Sequence, residues 1–262
     1  MNYLVGTNIK MYLTYLEALE WLRGMNRDVP SVGLVDVALF PPFFALVEGP
    51  RLIAKPNIGL GAQNMAWEER GPYTGEVSAL MLKELGLTYA ELGHHERRLH
   101  FGETDRLVRR KIELALASGL RALVCVGEEA DVHRRGGAED FLAGQMDELV
   151  SDLRLDDPAR LIVAYEPRWA IGAAEAAPPE HAARGCAVVR DRLVARLGPK
   201  GREVRIIYGG AVKLSDAAEM LAQENVCGLF IGRAALDTSD FAQAVAAAQA
   251  QAEKDLAAAG RA

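Results

Sequence analysis

The sequence predicts an α/β fold, a single-domain (βα)8 barrel. Eight short apolar segments that favour β-strands recur along the chain, and most of them are separated by stretches with the apolar spacing of an amphipathic helix. The 262 residues divided over eight repeats give about 33 residues per unit, close to one strand plus one helix. One barrel domain, 1–262, therefore accounts for the whole chain.

The predicted strands are rich in Val, Ile and Leu, as expected for strands that are buried on both faces of a parallel sheet. They are 3–7, 34–40, 58–63, 88–93, 122–127, 161–165, 204–208 and 226–232. The clearest predicted helices are 104–117, 180–197 and an Ala-rich final helix at 241–259, within a C-terminal segment, 241–262, whose last residues we expect to fray. Residues 51–56 are too short to predict a helix in the second unit, and a doubly wound open sheet is the alternative.

Composition and charge argue against several classes of protein. Half of the residues are apolar and a quarter are charged, so the chain can bury a large core. A net charge of -6 makes nucleic acid an unexpected partner. Cys125, Cys186 and Cys227 form neither a disulfide framework nor a paired zinc motif, which favours a reducing cytoplasm. No apolar run approaches the ~18 residues of a membrane helix, and the N-terminus lacks a signal-peptide pattern, so we expect neither a membrane partner nor export.

Polar residues and glycines follow the predicted strands. In barrels of this kind, the loops after the strands build the active site. Extended geometry would place Asn8 and Lys10 on the same side of the chain. It would likewise pair His94 with Glu96 and point His95 elsewhere. The whole set is Asn8, Lys10, Gln63, Asn64, His94, Glu96, Gly127, Glu128, Glu166, Gly209, Gly210 and Gly232.

Glycines after the seventh and eighth strands indicate the kind of ligand. They allow close backbone approach, and backbone N–H groups at these positions commonly bind phosphate in such barrels. We therefore expect a small phosphorylated molecule. No dinucleotide or nucleotide-binding motif is present, and His100, His133 and His181 have no ligand partner four residues away. Neither a metal nor a cofactor is expected.

Nine motifs, in order, resemble those of the triosephosphate isomerase family. Together they extend from 6 to 236 at the spacings that a barrel requires. The resemblance implies a (βα)8 TIM barrel and a cofactor-independent isomerase of glycolysis and gluconeogenesis, which interconverts glyceraldehyde 3-phosphate and dihydroxyacetone phosphate through an enediolate. The motifs are GTNIKM at 6–11, GAQN at 61–64, GPYTGEVS at 71–78, GHHERR at 93–98, FGETD at 101–105, VCVGE at 124–128, YEPRWAIG at 165–172, YGGAV at 208–212 and GLFIGRAAL at 228–236.

The same resemblance assigns five catalytic residues. Glu166 would be the general base, and His94 would be a neutral hydrogen-bond donor to the substrate oxygens. Lys10 would supply positive charge for substrate binding. Asn8 would help to stabilise the oxyanion, and Glu96 would be the counter-charge of Lys10.

The resemblance also implies a phosphate site, a mobile lid and a homodimer. Tyr73 and Thr74 lie in a segment that, in the family, reaches into the neighbouring subunit beside the catalytic lysine. The phosphate would be bound by backbone N–H groups of Gly172, Ala211, Gly232 and Arg233. The lid would comprise Pro167, Arg168, Trp169, Ala170, Ile171, Ala173, Ala174 and Glu175.

Several positions depart from the family pattern around the substrate. These departures leave two alternatives to triose phosphate isomerisation: a paralogue that isomerises a four-carbon ketose phosphate such as L-erythrulose 1-phosphate, and a non-catalytic barrel with a binding role. Retention of the five catalytic residue types argues against the second. The departures are Ile9 for tryptophan, His95 for serine, Arg168 for an apolar residue, Ala173-Ala174-Glu175 for Thr-Gly-Lys, Ala211 for serine and Arg233 for glycine.

Overall fold

The computed structural model describes residues 2–171, 177–212 and 214–260, and its eight parallel strands close into a barrel. Each strand pairs with its neighbours in sequence, and β8 returns to pair with β1. The predicted barrel is therefore confirmed, and the open-sheet alternative is wrong. The strands are β1 Tyr3–Asn8, β2 Val35–Phe40, β3 Ile58–Ala62, β4 Tyr89–Leu92, β5 Arg121–Val126, β6 Leu161–Tyr165, β7 Arg205–Tyr208 and β8 Gly228–Ile231.

Helices of very different lengths connect the strands. In the second unit, α2 has only four residues, which explains why no helix could be predicted there. None of the helices in the described part of the chain is long and apolar enough to cross a membrane. The helices are α1 Tyr15–Asp28, α2 Gly49–Leu52, α3 Ala79–Glu84, α4 His95–Phe101, α5 Asp105–Ala117, α6 Ala130–Arg134, α7 Ala138–Val150, α8 Pro179–Leu197, α9 Ala217–Leu221 and α10 Thr238–Ala259.

Capping residues set the ends of the predicted helices. Thr104 caps α5, because its side chain accepts a hydrogen bond from the Leu107 N–H and so replaces a missing intrahelical partner. Asp237 does the same for α10 through the N–H groups of Ser239 and Asp240. The final helix therefore begins at Thr238, earlier than predicted. Residues 261–262 lie outside the described residues.

Two apolar layers result from the alternation of side chains along the strands. One face of each strand packs against the surrounding helices, and the other fills the barrel interior. Phe40 lies at the centre of the interior, with its ring edge-on to those of Tyr89 and Phe230 at centroid distances of 6.2 and 5.8 Å. The barrel is a packed core, so polar chemistry is restricted to its ends.

A buried ion network positions the short helix α4. Glu103, between α4 and α5, accepts hydrogen bonds from Lys111 and from Arg97, the latter at 2.8 Å. Lys111 also donates to Asn64 Oδ1, after β3, at 2.8 Å. Burial alone would raise the pKa of Glu103, but Lys111 and Arg97 hold it below its ordinary value. The network therefore ties α4 to α5 and to the loop after β3.

We predict that Glu103→Leu lowers the free energy of unfolding by about 3–5 kcal/mol, because it leaves the Lys111 ammonium buried without its carboxylate. The side chains of Lys111 and Glu103 are only 1% and 2% exposed. Urea unfolding at fixed protein concentration measures the loss.

The matched control is the double variant Lys111→Met/Glu103→Leu, which removes both charges and should recover most of the lost stability. A double variant as unstable as Glu103→Leu would contradict the electrostatic explanation and indicate a packing defect.

Candidate active site

The end of β1 holds Lys10 in an unusual backbone conformation. Its φ of 50° lies in the left-handed region, which a lysine seldom adopts. Two hydrogen bonds fix it there: the Lys10 N–H donates to Asn8 Oδ1 at 2.6 Å, and Gln63 Nε2 donates to the Lys10 carbonyl at 3.0 Å. The turn brings Lys10 Nζ to 2.7 Å from Glu96 Oε1. These two residues therefore meet as a salt bridge across the barrel mouth.

Asn8 is oriented by a buried carboxyl group that the sequence analysis missed. Its Nδ2 donates to Glu91 Oε2 at 2.7 Å, while its Oδ1 accepts the Lys10 N–H. Glu91 is fully buried on β4, and burial raises its pKa well above the ordinary value. In the sequence, Glu91 could have been recognised as the single charged residue within the otherwise apolar segment 88–93.

His94 caps the N-terminus of α4, and this fixes its tautomer. Its Nδ1 accepts a hydrogen bond from the Glu96 N–H at 3.3 Å, so in the neutral ring the proton is on Nε2. Burial lowers the pKa of His94 well below the ordinary value, and the electrostatic effects of the neighbouring His95 and Lys10 side chains lower it further. His94 therefore presents a neutral N–H donor.

The extended geometry predicted for this segment is wrong. β4 ends at Leu92 and α4 begins at His95, so His94 meets Glu96 through a helical turn and not through strand alternation. The expectation that His95 points elsewhere is also wrong, because its ring lies 4.3 Å from the ring of His94.

Glu166 follows β6 and reaches the same pocket. Its side chain is almost completely buried, and its Oε2 lies 4.0 Å from His94 Nε2 and 3.8 Å from His95 Nδ1. Within the described ranges, neither Glu166 Oε2 nor His95 Nδ1 has a hydrogen-bond partner. An unpartnered carboxylate oxygen beside a neutral N–H donor can accept a proton from a molecule bound between them.

A glycine after β7 makes room for this carboxyl group. A Cβ atom on Gly209 would lie 2.7 Å from Glu166 Cγ, too close for any larger residue. Gly127 after β5 is required in the same way, since a Cβ there would lie 1.8 Å from the Glu166 carbonyl oxygen. Gly209 thus has a packing role in addition to any role in ligand binding.

The described part of the predicted lid begins as a short 3-10 turn, Arg168–Ala170. The Arg168 N–H donates to the Glu128 carbonyl at 3.1 Å, and its guanidinium pairs with Glu129. Trp169 Nε1 donates to Glu128 Oε1 at 2.8 Å. Pro167 precedes the turn and Ile171 ends it. The other predicted lid residues, Ala173, Ala174 and Glu175, lie outside the described residues.

The predicted phosphate site retains open donors. The backbone N–H groups of Ala211, Gly232 and Arg233 donate to no other group in 2–171, 177–212 or 214–260. Gly172 lies outside the described residues. The Arg233 side chain is exposed and forms no ion pair with another described residue.

Potential metal ligands also converge, although their spacing along the chain did not predict a metal site. Two groups of three side chains, among the residues that are described, bring ligand atoms within 4.8 Å of one another. No ligand partner lies four residues from His133 or His181 in the sequence, and both approach Glu128 only in the folded chain. The groups are His94, His95 and Glu96, and Glu128, His133 and His181.

Comparisons with known proteins identify the family of this chain. The family model described as triosephosphate isomerase matches residues 3–248. The triosephosphate isomerase of Thermoanaerobacter pseudethanolicus is 39% identical over 243 residues, covering 92% of this chain and 98% of that protein. The triosephosphate isomerase of Hydrogenovibrio crunogenus is 40% identical over 239 residues, covering 90% and 94%. The chain belongs to the triosephosphate isomerase family.

Proposed function

We propose that this protein interconverts dihydroxyacetone phosphate and glyceraldehyde 3-phosphate. The observation that carries the proposal is the convergence of a buried, unpartnered Glu166 oxygen with the neutral N–H donor of His94, 4.0 Å apart. A carboxylate and a neutral donor are the two groups needed to move a proton between adjacent carbons. The relatives described above carry the triose name, which favours three carbons over the four-carbon alternative.

In the proposed reaction, Glu166 removes a proton from the carbon next to the substrate carbonyl. The electron pair of that C–H bond forms the enediolate, and its negative charge lies on oxygens that accept the His94 Nε2 hydrogen. Glu166 then returns the proton to the neighbouring carbon, while the hydroxyl proton moves from one enediolate oxygen to the other beside His94 Nε2, so the product has the same atoms and electrons as the substrate. Lys10 and Asn8 stabilise the developing negative charge beside His94.

His95 has a separate proposed role as the resting partner of Glu166. Its Nδ1 and Glu166 Oε2 are both unpartnered and lie 3.8 Å apart, so a small displacement would join them. This contact would hold the base before the substrate arrives, at the position where the family usually has serine.

We propose that the substrate phosphate binds to the open N–H groups of Ala211, Gly232 and Arg233, together with Gly172. Backbone donors at the ends of β7 and β8 suit a phosphate because they point at the anion from a fixed frame. The segment from Pro167 to Glu175 would close over the bound substrate. Closure would exclude water, which would otherwise protonate the enediolate.

A homodimer is also proposed, on the basis of an exposed apolar face beside β1, β2 and β3. Met11 is 96% exposed and Tyr73 is 37% exposed, and Tyr15 packs edge-on against Phe44 across this face. A large apolar patch beside the predicted Tyr73–Thr74 segment is typical of a protein interface. The three cysteines are unpaired thiols, and we propose a cytoplasmic location on that basis.

We predict that Glu166→Gln lowers kcat/KM for glyceraldehyde 3-phosphate by about 100- to 10,000-fold, because the amide cannot act as a base. Coupled enzyme assays measure the loss, and circular dichroism checks the fold. The control is Glu113→Gln, which alters an exposed carboxylate on α5 and should leave turnover unchanged. Activity of Glu166→Gln within about threefold of wild type would refute the assignment of the base.

For His94→Gln, we expect kcat to fall about 100-fold with little change in KM, because the donor acts mainly as charge develops in the transition state. Steady-state kinetics in both directions give the two constants, with His100→Gln as the surface-histidine control. A change confined to KM would instead assign His94 to substrate binding alone.

Sedimentation tests the proposed homodimer. The wild type should sediment at about twice the 28.4 kDa chain mass, and Tyr73→Glu should shift the population toward monomer, since it would bury a charge at the interface. Leu256→Glu, at an exposed position on α10, is the matched control and should remain dimeric. A wild type that is monomeric at tens of micromolar would overturn the proposal.

A further inference from the structure

Three side chains that can act as metal ligands meet beside the start of the predicted lid, although they come from separate parts of the chain. Glu128 follows β5 and is completely buried, His133 lies on α6, and His181 lies in the first turn of α8. Glu128 Oε1 lies 3.3 Å from His181 Nε2 and 4.0 Å from His133 Nδ1. The two imidazole rings pack edge to face, with centroids 5.2 Å apart. The proposed catalytic chemistry uses none of these three side chains.

Glu128 is a buried anion held by hydrogen-bond donors. Besides His181, Trp169 Nε1 donates to its Oε1 at 2.8 Å, and the Tyr165 hydroxyl donates to its Oε2 at 3.1 Å. Burial would raise the pKa of Glu128, but the hydrogen bonds from His181, Trp169 and Tyr165 hold it below its ordinary value. An ionised carboxylate facing two imidazoles is a ligand set of the kind that Zn²⁺ prefers.

We propose that Glu128, His133 and His181 form a binding site for a borderline divalent transition metal such as Zn²⁺. Ligand atoms about 2.0–2.1 Å from a tetrahedral Zn²⁺ are separated from one another by about 3.3 Å. The Glu128–His181 pair already has this separation. A rotation of the His133 side chain that closes 4.0 Å to that value completes three corners of the tetrahedron.

The surroundings support both access and orientation. The His133 side chain is 36% exposed, which gives a metal ion a route from solvent and leaves the fourth corner for water. The His133 ring stacks on Trp169 at a centroid distance of 4.1 Å, which holds it beside Glu128. The other group of potential ligands, His94, His95 and Glu96, is less suitable, because the Lys10 ammonium lies 2.7 Å from Glu96 Oε1 and would repel a cation.

A metal at this site would join the two described segments on either side of residues 172–176. Trp169 precedes residues 172–176, and His181 follows them on α8. Glu128 Oε1 is the oxygen that contacts both Trp169 Nε1 and His181 Nε2. An ion bound to this oxygen would therefore compete with the Trp169 N–H. Metal binding does not depend on the proposed reaction, and it is measured without substrate, so the two proposals fail separately.

Titration of the full-length, chelator-treated protein with Co²⁺ and Zn²⁺ tests the site. Co²⁺ should give visible d–d absorption bands of tetrahedral intensity at one equivalent per chain, and Zn²⁺ should displace it. Mg²⁺ should not compete, since it prefers octahedral oxygen ligands. His133→Gln and His181→Gln should each weaken binding at least about tenfold. Zn²⁺ should also raise the unfolding temperature of the wild type more than that of either variant.

His100→Gln and His95→Ser are the matched controls, and both should bind as the wild type does. Loss of the Co²⁺ bands in His95→Ser alone would place the metal at the other histidine group and overturn the proposal. Equal binding by the wild type and His133→Gln would also overturn it. Because His133 is partly exposed, its glutamine variant should fold even if His181→Gln does not.

Discussion

The burial of Glu166 is the constraint on which the rest of the rim depends. A buried acceptor without a hydrogen-bond partner costs about 1–3 kcal/mol, and more when it is charged. The side chain stays in place because its backbone is fixed on both sides: its N–H donates to the Val126 carbonyl at 2.7 Å, and Gly127 and Gly209 let the neighbouring strand ends approach it. The barrel backbone thus holds the Glu166 carboxyl group in a buried position that is unfavourable for the carboxyl group itself.

The histidines opposite Glu166 depend on a second fixed element, the short helix α4. Arg98 on this helix donates to the Gly93 carbonyl at 2.7 Å and to the Cys125 carbonyl at 3.4 Å, while Arg97 joins the Glu103 network. These contacts orient the first turn against the ends of β4 and β5. The tautomer of His94 follows from that orientation, because the Glu96 N–H can reach Nδ1 only when the turn is in place.

The barrel could be predicted from the sequence because apolar periodicity and unit length are properties of local segments. Polar residues at the strand ends, such as Asn8 and Glu166, can likewise be identified from the sequence alone. Contacts between side chains that are far apart in the sequence could not be predicted. His133 and His181 are 48 positions apart and meet only after β5 and β6 pair. His95 faces Glu166 because α4 begins at His95, whereas continued strand alternation would point the His95 side chain away from His94. Glu91 was visible as a lone charge, but its contact with Asn8 requires the closed barrel.

The left-handed backbone of Lys10 places its proposed role in substrate binding and the thermal stability of the fold in opposition at one position. Glycine or asparagine would adopt a φ of 50° with less strain, and would therefore favour the folded state. Either substitution would remove the side chain that reaches Glu96. Selection for a more stable enzyme that keeps its activity should consequently change other positions in the barrel. Directed evolution that screens only for heat resistance would tend to replace Lys10 first.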